Sequence, residues 1–167
     1  MPRPDLRVQF AHGLESSPQG IKARLFAEHF TALTPSMDTR DFARCVDVHA
    51  RALETFRPDV LVGSSFGGAV AVALLMRGAY RGPTLLLAQA ALRYVPSAAF
   101  PEGVPVVLVH GRQDDVIPFA DSEALARTGT PELVTLLPQD DDHALTKLCA
   151  SGLLVGLVER CAARVRT

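Results

Sequence analysis

The stretch that most constrains the fold is Gly63-Ser64-Ser65-Phe66-Gly67. An apolar run, Asp59-Val60-Leu61-Val62, leads into it, and an apolar run rich in small residues, 68–76, leads out. A strand that passes directly into a helix through Gly-x-Ser-x-Gly holds the central serine exposed on a sharp turn. The flanking glycines carry no Cβ, so the chain can turn tightly and pack closely around that serine. A serine hydroxyl is a weak nucleophile unless it is held beside a base, which makes Ser65 the candidate nucleophile. Taken alone, the same five residues also fit a plain strand end and helix start. Ser64 is out of register with the pattern and reads as structural.

The rest of the chain alternates strand and helix. Strands are predicted at 6–11, 34–39, 60–62, 83–88, 105–109 and 133–137, with the second at or near the sheet edge because of Pro35. Helices are predicted at 18–30, capped by Ser17 with an apolar face of Ile21, Leu25, Phe26 and Phe30, and at 41–56, with Phe42, Val46, Leu53 and Phe56 inward. Further helices are expected after Ser65, at 120–127 and at 145–165, the last with Leu148, Leu153, Val155, Val158, Ala162 and Val165 inward. The segment 89–104 reads as a loop. This alternation predicts an α/β fold: a mostly parallel sheet of about six strands flanked by helices.

Length and composition set outer limits. The 167 residues suit one domain, 1–167, long enough to bury a core. A net charge of −1 offers no basic footprint, so nucleic acid is not expected as a partner. No apolar run approaches the roughly 20 residues that a membrane span needs, and no secretory signal is visible. Cys45, Cys149 and Cys161 are scattered, without metal spacing or a disulfide framework. They fit a reducing compartment, and a cytoplasmic location is the expectation. No cofactor is expected. The oligomeric state is open.

Four polar stretches fall where strands end: His12-Gly13-Leu14, the Ser65 pentapeptide, His110-Gly111-Arg112-Gln113-Asp114-Asp115, and Asp140-Asp141-Asp142-His143. In a parallel sheet these carboxyl ends open on one side, where ligands bind. Ser65, an aspartate and His143 therefore need not be far apart in space. Their chain order, Ser then Asp then His, is that of the alpha/beta-hydrolase triad. With the motifs 12–18, 63–68, 110–118 and 142–143 in order, the chain resembles a small alpha/beta hydrolase, and within that superfamily the compact esterases of the YqiA/UPF0227 type. The resemblance spans 10–143 and implies a compact alpha/beta-hydrolase fold with no large cap domain.

It also implies roles. Ser65 would attack a carbonyl carbon, His143 would carry its proton, and Asp114 would orient the imidazole, with Asp115 as the competing acid. The backbone N–H groups of Leu14 and Phe66 would form the oxyanion hole. His12, Gly13, Tyr94 and Val116 are candidate pocket residues, with Phe66 and Leu14 as further walls, and 89–104 is the one segment available to cover the site. His12 and His110 read as loop braces, and Arg93 and Arg112 as possible contacts for an acidic substrate group. The run Asp140-Asp141-Asp142 reads as a solvated loop in preference to a metal site, so no metal is expected. The implied activity is hydrolysis of carboxylic ester or thioester bonds of small to medium acyl substrates. Two alternatives remain: a non-catalytic binding or scaffold protein on the same frame, and a peptidase or C–C hydrolase using the same groups.

Overall fold

The computed structural model describes residues 1–165. Residues 166–167 and the side chain of Val165, expected on the inward stripe of the last helix, lie outside what is described. Six strands form one sheet: β1 (Arg3–Ala11), β2 (Phe30–Leu33), β3 (Val60–Ser64), β4 (Thr84–Leu87), β5 (Val106–Gly111) and β6 (Val134–Gln139). Their spatial order is β2-β1-β3-β4-β5-β6, and every neighbouring pair is parallel. The chain steps outward from β1 to β2, returns to the far side of β1 as β3, and then steps away to β6. The order therefore reverses between β1 and β3. In open parallel sheets the crevice outside such a switch point is where ligands bind.

Helices cover both faces: α1 (Ile21–His29), α2 (Phe42–Phe56), α3 (Phe66–Met76), α4 (Ala91–Tyr94), α5 (Phe119–Ala126), α6 (Thr146–Ser151) and α7 (Leu153–Ala162). Side chains alternate along each strand, so the sheet separates two apolar cores. Leu61, Leu86 and Leu108 face one core, with Val46 and Leu53 of α2, Val70 and Leu74 of α3 and Leu125 of α5. Val62, Leu85 and Val109 face the other, with Phe26 of α1, Leu148 of α6 and Leu154 of α7. The central strands β3, β4 and β5 are buried throughout, which explains why they read as unbroken apolar runs.

Four expectations need correction. The first helix starts at Ile21, not at residue 18. Ser17 accepts the Gln19 N–H (3.1 Å) and its carbonyl accepts the Gly20 N–H (3.0 Å), so it builds a turn before the helix and does not cap it. Ile21 is 70% exposed; the inward face is Ala23 and Phe26. The second strand is Phe30–Leu33, at the sheet edge, and not 34–39. Phe30 closes α1 through its N–H on the Phe26 carbonyl and is already extended, while Pro35 has no N–H to give to a sheet.

The segment 89–104 is no cover. It contains α4, and Ala91, Ala98, Phe100 and Val104 are buried in the core. The last helix is two helices, broken where Gly152 takes φ +76, a left-handed turn that redirects the chain. The break leaves Leu153 64% exposed while Leu154, Leu157 and Val158 point inward. No helix among the described residues is long and apolar enough to cross a membrane.

Candidate active site

Ser65 sits between β3 and α3 with φ 54 and ψ −115, a region that a residue with a side chain rarely occupies. The surroundings hold it there. Its N–H donates to the Leu87 carbonyl of β4 (2.9 Å), and its own carbonyl accepts from Gly68, Ala69 and Ala90 at 2.9–3.2 Å. The turn also brings backbone against backbone. A Cβ on Gly67 would lie 1.9 Å from the Ala11 carbonyl oxygen of β1, and one on Gly63 would lie 2.5 Å from the Gly67 oxygen. Only glycine permits that approach.

The base and acid come from the other side of the sheet. The Ser65 hydroxyl donates to His143 Nε2 (3.0 Å), and His143 Nδ1–H donates to Asp114 Oδ2 (2.7 Å). Asp114 sits in the loop after β5, its side chain fully buried, and its Oδ1 accepts the N–H groups of Val116 (2.9 Å) and Ile117 (2.8 Å). Asp115 is exposed, so Asp114 is the acid that faces the imidazole.

His143 is placed by its neighbours. Asp141 accepts the N–H groups of Asp142, Lys147 and Leu148, and Asp142 accepts the N–H and hydroxyl of Thr146. The Thr146 N–H, then its hydroxyl, hold the Asp142 carboxyl below the usual carboxylate range. Lys22 of α1 reaches across 122 residues of sequence to donate to the Ala144 carbonyl (2.9 Å). Asp141 and Asp142 thus organise the start of α6, and no cluster of three or more His, Cys, Asp or Glu among the described residues is arranged for a metal ion.

A further histidine lies against the acid. His110 is fully buried, with Nε2 3.1 Å from Asp114 Oδ2 and 3.0 Å from the Ile117 carbonyl. Its Nδ1 is 2.6 Å from Ser122 Oγ. Reading it as a loop brace missed the contact with Asp114. The spacing of four residues across a tight turn was the available signal.

A cavity of about 350 Å³ opens beside Ser65 and His143, walled by Gly13, Leu14, Glu15, Lys22, Val116 and Ala144. Of the expected pocket residues, Gly13, Leu14 and Val116 line it; His12, Tyr94 and the side chain of Phe66 do not. Phe66 is buried, with Tyr94 edge-on at 5.0 Å and Phe42 at 5.7 Å, and Tyr94 stacks on Phe42 at 5.1 Å. These three rings are packing, not wall. Arg93 donates to the Val116 carbonyl and Arg112 lies over the Phe119 ring (5.1 Å), and neither lines the cavity. Sequence reasoning did not find Glu15, Lys22 or Ala144. Burial raises the pKa of all three cysteine thiols, Cys161 to about 12, which keeps them poorly nucleophilic.

Behind the loop after β1 lies a buried polar group. His12 Nδ1 is 2.8 Å from the Gly13 carbonyl, and Gln9 Nε2 is 3.0 Å from His49 Nδ1. Burial, and then the nearby His12, push His49 down to about 4.

A six-stranded parallel sheet with this switch point and a strained serine at its centre is the compact alpha/beta-hydrolase fold. Known structures agree. A protein of the alpha/beta hydrolase superfamily from Xanthomonas campestris pv. campestris is 25% identical, with TM-score 0.69 over 92% of this chain and 98% of that one. An alpha/beta serine hydrolase without a lid, also from Xanthomonas campestris, is 19% identical (TM-score 0.65, 99% and 87% covered). The esterase domain of a Rhodothermus marinus protein is 16% identical (TM-score 0.70, 96% and 87% covered). No protein-family model matches the chain, and no curated protein is significantly similar to it.

Proposed function

We propose that the protein is a serine hydrolase that cleaves carboxylic ester or thioester bonds of small to medium apolar acyl substrates. One observation carries the reading: the hydrogen-bonded series Ser65–His143–Asp114, at 3.0 and 2.7 Å, starting from a serine held at positive φ. In this reading His143 Nε2 takes the Ser65 proton as Oγ attacks the carbonyl carbon. His143 then returns that proton to the leaving group, and Asp114 holds the imidazole and stabilises its cationic form. Water, deprotonated by His143, releases the acyl group from Ser65.

The oxyanion is assigned to the N–H groups of Phe66 and Leu14. Phe66 opens α3, where the first N–H groups have no partner within the helix and the dipole favours negative charge. Gly13 passes so close that a Cβ there would lie 3.5 Å from Ser65 Cβ, which brings the Leu14 backbone to the same place.

The preference for apolar acyl groups rests on the walls. Leu14 (51% exposed) and Val116 (42%) flank the cavity. A second groove of about 320 Å³, lined by exposed Ile21 with Cys149 and Ala150, shares Lys22 and Ala144 with it. A cytoplasmic setting is proposed from the three free thiols.

Ser65→Ala tests the reading. Hydrolysis of short p-nitrophenyl esters should fall by about 10⁴-fold or more while the melting temperature holds. Wild-type protein should label with a fluorophosphonate probe and the variant should not. A folded variant with unchanged ester turnover would sink the proposal.

A further inference from the structure

Behind Asp114 runs a second set of buried polar groups that the reaction itself does not require: Gln89, Ser122 and His110, all within 1% of full burial. The directions of their hydrogen bonds follow from one backbone amide. Ala91 N–H can only donate, so Gln89 Oε1 accepts it (2.7 Å), and this turns the Gln89 NH₂ toward Ser122 Oγ (2.9 Å). Ser122 therefore accepts from Gln89, and its own hydroxyl proton must go to His110 Nδ1 (2.6 Å). His110 Nδ1 is then an acceptor, and its ring proton is on Nε2. That nitrogen faces two acceptors, the Ile117 carbonyl (3.0 Å) and Asp114 Oδ2 (3.1 Å), which is consistent only with an N–H there.

We infer that His110 is a positioning residue for Asp114: a neutral imidazole, its tautomer set by Ser122 and Gln89, whose Nε2–H fixes Oδ2 in line with His143. The inference rests on the serine-hydrolase reading for its effect on turnover, but not for its geometry. Oδ1 is held by the Val116 and Ile117 N–H groups, and Oδ2 otherwise has only His143 itself. Without His110 the carboxylate could turn about Oδ1 each time His143 moves. The series also links the acid to the nucleophile by a second route, because the residue after Gln89, Ala90, donates its N–H to the Ser65 carbonyl (3.0 Å).

The test separates the two ring nitrogens. His110→Asn keeps a group at the Nδ1 position, toward Ser122, and removes the Nε2 donor. His110→Gln restores a donor at the Nε2 position. We expect kcat on a short ester to fall about tenfold in His110→Asn, the value of one hydrogen bond to a charged group, with KM unchanged, and to recover in His110→Gln. The low-field proton resonance of His143 Nδ1–H should broaden in the first variant and persist in the second. This readout needs no turnover, so it stands even if the wild-type protein hydrolyses no ester and labels with no fluorophosphonate, the results that would remove the serine-hydrolase reading instead. A folded His110→Asn with wild-type kcat and an intact low-field resonance would overturn the inference. So would equal losses in both variants. Should His110→Asn fail to fold, Ser122→Ala takes its place: it frees the tautomer, and a sharp wild-type resonance in that variant also overturns the inference.

Discussion

The serine turn and the acid–base loops reach the same site by different means. Around Ser65 the device is steric. Gly63 and Gly67 stand where any Cβ would meet backbone at 2.5 and 1.9 Å, and nearly all of α3 is buried. Around Asp114 and His143 the device is polar. Carboxylates take backbone N–H groups, Lys22 ties α1 to Ala144, and a buried imidazole, hydroxyl and amide stand behind the acid. The nucleophile needs a fixed, strained backbone, which contact between main chains supplies. The base needs a fixed side-chain orientation and proton position, which only directed hydrogen bonds supply.

The comparison can be broken at its polar end first. Asp114→Asn should reduce kcat by about 10³–10⁴-fold, because the amide cannot hold the imidazole in the same tautomer or stabilise its cation. Asp115→Asn, at an exposed carboxylate, should leave kcat within about twofold. Steady-state kinetics on one ester decides between them, and a larger loss in the Asp115 variant would reverse the assignment of the acid.

At the steric end, Gly67→Ala should cost about 3 kcal/mol of stability in urea unfolding, since the methyl group must displace the Ala11 carbonyl. A loss below about 0.5 kcal/mol would mean that the turn is not set by contact. His49 sharpens the comparison from beneath the loop after β1. Its folded pKa, about 4, lies below the ordinary value of 6.5, so the unfolded chain binds the proton more readily. Stability is therefore full above the unfolded value and falls as pH drops through the window between the two. The loss should be about 2 kcal/mol from about pH 7 to about pH 5. Urea unfolding of wild type and His49→Leu measures it, and equal pH slopes in the two proteins would exclude His49 as the cause.

Much of this was legible residue by residue. Val60 to Val62, Leu85 to Leu87 and Val106 to Val109 are apolar on both faces because both faces are covered, and that signal survives without any tertiary information. Ser65, Asp114 and His143 were readable because each lies at a strand end within a local pattern. The losses were where distant packing overrides local preference. Ile21 and Leu153 have helical apolar spacing yet face outward, the second because Gly152 turns the chain. Tyr94 reads as a pocket aromatic, but Phe42 and Phe66 take up its ring. Lys22 carries no local mark at all, since its partner, Ala144, is 122 residues away.

The sequence by itself determined the alternation of strands and helices, the sharp turn at Ser65 and the order of the three reactive groups. These depend on side-chain periodicity and on the absence of a Cβ, which are properties of short stretches. Only the tertiary structure decided that Asp114, not Asp115, meets His143, that His110 stands behind it, and that Lys22 and Glu15 wall the cavity. Those choices depend on which donor and acceptor come within about 3 Å across the sheet, and no local pattern encodes that distance.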